Sequence, residues 1–333
     1  MTKKILFVAA AMILASCSSS LNIMQPHDKV AQGLFEEMEQ AYNNQDCNLY
    51  HELYEKFSAE KPSSSLREKA YYYAGMCYEK HNIADKAINI YKLASGIYPN
   101  NMAFSYRLAI IYYQTGFYEN ALNNFEAVIH EHYQEKGALA GAARASAGLG
   151  RMEQAAKYYT KALSIDFEKD ETDFDENSEE NLIKELSLCL IDSARYEEAR
   201  EFIDKGYSIN QSAVWHNLSA KSYAAEGNFL KAAEEMSNVL KKENNRNNRL
   251  SKAFYNYWAG NIKQAEIAAD KELSVNSYDY LASFLKGMCL RSEGNTDIAD
   301  SYFKISACGE KFIEDLSRKM SSVTLPVKEE LCK

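Results

Sequence analysis

Ala87, Ala121 and Ala155 stand 34 residues apart, and their surroundings keep step with them. Tyr91, Phe125 and Tyr159 follow four residues later, and Ala94, Val128 and Ala162 seven later. Asn82, Gly116 and Gly150 come five residues before. A stretch of this length repeated in register is one supersecondary unit used several times, each copy burying the open face of its neighbour. The register continues at Ala199, Ala232, Ala265 and Ala299, with Ala194, Gly227, Gly260 and Gly294 five residues upstream. Composition settles which unit repeats. Only 14 glycines and 4 prolines serve 333 residues, too few for the turn every 8–12 residues or so that a β-sandwich needs. The unit is therefore helical.

Glu68–Asn101 shows the pattern most fully, with Tyr71, Ala74, Gly75, Tyr78, Ala87, Tyr91, Ala94 and Pro99 in place. This resembles the tetratricopeptide repeat, a helix A, a tight turn and a helix B. The resemblance implies an all-α, right-handed solenoid of seven repeats. An eighth fits more weakly over Ala31–Ser64, where Tyr50 stands in a slot expected to hold alanine. A C-terminal capping helix over Glu310–Met320 would turn Ile313, Leu316 and Met320 to one face. Small residues at Gly75, Ala87, Ala109, Ala121, Ala143 and Ala155 are expected where helices A and B cross, with tyrosines filling the wider gaps.

Ahead of the repeats, Lys3 and Lys4 precede an apolar run from Ile5 to Leu14. The run is too short to span roughly 30 Å of hydrocarbon but suits a signal peptide. Leu14-Ala15-Ser16-Cys17 resembles the lipobox of bacterial lipoproteins. That likeness implies a signal peptide over 1–16, a lipid on Cys17 that holds the chain to a membrane, and a tether over 17–30. Ser18, rather than Asp, favours the outer membrane under the sorting rule of enteric bacteria. The boundaries that follow are an N-terminal array at 31–167, an acidic insertion at 168–179, a C-terminal array and cap at 180–320, and a tail at 321–333. The insertion lengthens one gap to 44 residues and is expected to hinge the two arrays.

From Glu168 to Glu180 run eight acids against one lysine, Lys169. Asp173, Asp175 and Asn177 alternate like the start of a calcium loop, but Ser178 and Lys184 occupy the positions that need Gly and Glu. The segment reads as a solvated loop in which Asn177 or Ser178 caps the next helix. Cys77, Cys189 and Cys289 share the tenth position of their repeats, which marks a packing site. Cys308 with Cys332 is the pair expected to be worth testing as a disulfide. The spacings and motifs of zinc sites, hydrolases and phosphate loops are absent, so no metal, cofactor or catalytic residue is assigned. A net charge of −9 lacks the basic footprint of a nucleic-acid binder.

In the family, positions 2, 5, 9, 12 and 13 of helix A face a concave groove for a protein or peptide. Carried onto this chain, they place Tyr72, Met76, Tyr106, Ile110 and Tyr113 at the N-terminal end. Phe254, Tyr257, Trp258, Phe284 and Met288 fall at the C-terminal end. Between them lie small residues and the cations Arg144, Lys184 and Lys221. The Lys–Asn pair of the known carboxylate clamp is missing at positions 5 and 9. The expectation is a non-enzymatic, membrane-anchored adaptor of the bacterial envelope, of the outer-membrane, pilus or cell-wall assembly type. A glycan- or nutrient-capturing lipoprotein is the alternative, although only 2 tryptophans are available for stacking on sugars.

Overall fold

The structure, a computed structural model, describes residues 26–132, 135–165, 178–311 and 313. Among the described residues the regular elements are sixteen α-helices that alternate as A and B of eight hairpins. The first three hairpins are α1 Pro26–Asn43 with α2 Cys47–Ala59, α3 Ser64–Lys80 with α4 Ala84–Ile97, and α5 Met102–Gln114 with α6 Tyr118–His130. The next three are α7 Glu135–Gly148 with α8 Met152–Leu163, α9 Glu179–Asp192 with α10 Tyr196–Ile209, and α11 Ala213–Ala225 with α12 Phe229–Lys242. The last two are α13 Arg246–Trp258 with α14 Ile262–Val275, and α15 Tyr280–Ser292 with α16 Thr296–Ser306.

The turn between A and B is the same local device in successive hairpins. One residue takes the left-handed conformation, which lets the following amides reach back to the last carbonyls of helix A. Gly116 has φ +80; its N–H donates to Tyr113 O at 3.1 Å and that of Phe117 to Tyr112 O at 2.8 Å. Gly150, Gly227, Gly260 and Gly294 repeat this backbone, and Asn82 and Ala194 adopt it without being glycine.

Packing follows from size. Ala87, Ala121 and Ala155 are fully buried. A Cβ on Gly75 would come within 2.2 Å of Tyr91 Cζ, and one on Gly206 within 2.3 Å of Trp215 Cη2. Each aromatic ring therefore lies against bare backbone. Tyr50, the misfit of the weakest repeat, is buried and donates from its hydroxyl to Ala70 O at 2.8 Å, tying α2 to α3.

The chain falls into two compact units, Met1–Tyr133 and Gln134–Lys333. The first holds α1–α6 and the second α7–α16. The boundary differs from the one expected at the insertion: α8 and α9, on either side of the insertion, pack together inside the second unit. The hairpin α7–α8 thus belongs with the later repeats, because α8 packs on α9. The calcium-like residues Asp173, Asp175 and Asn177 lie outside the described residues. Ser178 caps α9, accepting from Asn181 N–H at 3.3 Å.

Cys77 is not the plain packing residue that its repeat position suggests. It is bonded to Cys47, with Cα atoms 5.3 Å apart across α2 and α3. Adjacent hairpins bring the two into reach, and a pair 30 residues apart is invisible to a comparison of equivalent repeat positions. Cys308 is disulfide-bonded too, while Cys332 lies outside the described residues. Cys189 and Cys289 are free and buried. Burial pushes the Cys189 thiol up to about 11 and that of Cys289 to about 12, so both stay protonated. Of the expected capping helix, Ile313 is described and packs on the cluster of Phe284, Met288, Leu290, Ala299 and Phe303. Leu316 and Met320 lie outside the described residues.

Candidate partner-binding surfaces

Within each unit, A helices of successive hairpins touch: α1 with α3, α9 with α11, and α13 with α15. The A-helix side chains therefore form a common face in each unit. In the first unit, Tyr72, Met76, Tyr106, Ile110 and Tyr113 are all half-buried. Tyr72 packs edgewise on Tyr73, Tyr106 on Phe125, and Tyr113 lies 5.8 Å from Tyr118. These side chains leave part of each ring open to solvent.

At the C-terminal end the expected residues divide. Trp258 is 49% exposed and closes an aromatic cluster with Phe229, Phe254 and Tyr255 at centroid distances of 5.5, 5.6 and 6.1 Å. Tyr257 is half-buried and its hydroxyl is hydrogen-bonded to Ser292 Oγ at 2.8 Å. Phe284 and Met288, expected to face a groove, are instead only 6% and 8% exposed. Phe303 of the same hairpin, Phe254 and Ile313 pack against them. The contacts of the terminal hairpin turn what is an open position elsewhere into core.

The three cations also part company. Arg144 on α7 is half-buried and engaged, its Nε donating to Glu185 on α9 at 3.0 Å. Lys184 on α9 and Lys221 on α11 are exposed and border one recess of about 250 Å3. Leu188, Ala213, Val214, Asn217, Leu218 and Glu243 complete it.

One recurring group was hidden from the repeat pattern because its partners lie in different repeats. Tyr91 on α4 donates from its hydroxyl to Glu79 on α3 at 2.6 Å, and Arg107 on α5 grips the same carboxylate at 2.6 and 3.0 Å. In the second unit Tyr159 on α8 hydrogen-bonds Glu185, which Arg144 also holds. The acid and the base have exchanged hairpins while the tyrosine has kept its place. Burial raises both phenols above their ordinary range, so each stays a proton donor to its ion pair. Paired helices A are joined this way by a fixed strut.

Comparison with known proteins agrees with this geometry. Family models for the tetratricopeptide repeat match residues 69–101 and 106–171. Over those residues the chain carries tetratricopeptide repeats. A TPR protein from Parabacteroides merdae aligns over 79% of this chain and 99% of its own, with 15% identity and a TM-score of 0.51. The C-terminal part of a TPR protein from Cytophaga hutchinsonii aligns over 74% and 98%, with 16% identity and a TM-score of 0.56. At these identities the likeness is one of fold. No curated protein matches the sequence significantly. The tetratricopeptide fold suggests a protein-interaction scaffold.

Proposed function

We propose that the chain is a non-enzymatic adaptor of the bacterial cell envelope, lipid-anchored at Cys17, that holds a protein partner against its A-helix faces. The contrast between its two tryptophans carries the reading. Trp215 is 1% exposed and fills the space over Gly206, whereas Trp258 is 49% exposed although buried space would stabilise it by a few kcal/mol. Half-open aromatics of this kind are the usual anchors of protein interfaces. The Cys47–Cys77 disulfide supports a location outside the cytosol, where such bonds persist. It agrees with the apolar leader and lipobox, and Ser18 favours the outer membrane.

Trp258→Ala tests the surface. Lipidated wild-type chain, purified from membranes, identifies bound protein by mass spectrometry. The variant is expected to keep its helical content and melting temperature while losing about 2 kcal/mol or more of partner affinity. A melt several kcal/mol less stable would assign Trp258 to the core. Unchanged stability and unchanged binding would move the partner to the Tyr72–Tyr106–Tyr113 face.

A further inference from the structure

Lys184 and Lys221 stand on neighbouring A helices and share one recess of about 250 Å3. Its wall is aliphatic, built from Leu188, Ala213, Val214 and Leu218. Leu218 and Ala213 are buried and hold the wall in place, while Val214 is exposed. Asn217 adds an amide and Glu243 a carboxylate. Arg144, Lys205 and Arg200 are paired with Glu185, Glu179 and Glu226, and Lys242, next to Glu243, donates to the backbone carbonyl of Gln211. Among the described residues neither Lys184 nor Lys221 takes part in an ion pair. In a chain of net charge −9, this recess holds two ammonium groups against the single carboxylate of Glu243, beside an apolar wall.

We propose that this recess takes one acidic side chain of an extended partner segment together with a branched aliphatic side chain beside it, as in Glu-Leu or Asp-Val. The inference rests on the adaptor reading and narrows the partner of that surface. The lysines supply attraction for one carboxylate, and the aliphatic wall supplies the surface that a neighbouring Leu, Ile or Val removes from water. The recess is smaller than the roughly 300–1,000 Å3 of a drug-sized site, so it accommodates a pair of side chains and no more. Lysine ammoniums are point charges on flexible stems, without the fork that fixes the orientation of a carboxylate plane. They read charge, and an internal acidic side chain satisfies them. Glu243 opposes a second negative charge, which selects against a run of acids.

Full-length chain is titrated with a fluorescein-labelled, C-terminally amidated peptide, Gly-Ser-Gly-Glu-Leu-Gly-Ser-Gly. The Gln-Leu analogue and the Lys184→Gln/Lys221→Gln double variant are each expected to weaken binding about tenfold, the effect of removing two exposed charge contacts. Raising the salt concentration should erase the difference. The double variant should melt like wild type, and Lys184→Arg/Lys221→Arg should retain binding. Equal affinity for the Glu and Gln peptides overturns the proposal. So does tighter binding of Gly-Ser-Gly-Gln-Leu with a free terminus, which would make the ligand a chain end. Failure of every peptide to bind wild type overturns it as well. In that case loss of a co-purified partner in Trp258→Ala would leave the adaptor reading standing.

Discussion

Ala194 sits at φ +58, where six of the seven A–B turns from the second hairpin to the last are served by Asn82, Gly116, Gly150, Gly227, Gly260 and Gly294. An L side chain in the left-handed region costs about 1–2 kcal/mol. Glycine avoids that cost but loses more freedom on folding, by about 0.5–1 kcal/mol. Ala194→Gly should therefore stabilise the chain by up to about 1 kcal/mol in a thermal or denaturant melt. Gly260→Ala, the reverse change at an equivalent turn, should destabilise it by a similar amount. A neutral or destabilising Ala194→Gly would show that the Ala194 methyl makes a contact that outweighs the backbone term. The position of this turn was legible from repeat spacing alone, because the left-handed residue ends helix A at the same point in each unit.

At the scale of the element, helix pairs approach through small residues. Ala121 is fully buried in α6 beside Leu122 and Phe125, so Ala121→Leu forces side chains and backbone apart. The expected loss is about 1–3 kcal/mol; a change of a few tenths would place Ala121 away from the crossing. A second prediction concerns the join between α2 and α3. The Cys47–Cys77 bond closes a loop of 30 residues, and removing it as Cys47→Ala/Cys77→Ala should cost about 2–4 kcal/mol. Hydrogen exchange should show the loss concentrated in α1 and α2. Even loss of protection across both units would mean the bond does not act as a local staple.

For the whole molecule, the decisive prediction concerns anchoring. Cys17→Ser should move the chain from the membrane fraction to the soluble fraction and abolish incorporation of labelled palmitate. Unchanged fractionation and labelling would end the lipoprotein proposal. The two compact units divide at 133/134 and not at the acidic insertion. Charge and length mark the insertion as a loop, but α8 and α9 still pack across it. A hinge depends on which faces are covered, and a loop's composition does not report that.

Repeat spacing, scarce glycine and proline, and the small residues at fixed positions determined by themselves the all-helical hairpin array, its turns and its core alanines. These follow from local rules: a helix needs a stop, and a close crossing needs a small side chain. Tertiary structure alone decided which outward positions remain open. Trp258 and Phe284 occupy positions that repeat register treats as groove-facing, yet one is half exposed and the other is core because Phe303 and Ile313 cover it. It likewise decided that Cys77 meets Cys47, that Arg144 is held by Glu185 while Lys184 and Lys221 are left to share a recess. The Cys47–Cys77 and Arg144–Glu185 contacts join different repeats, and a periodic pattern specifies what recurs within a repeat, not what a neighbour places against it.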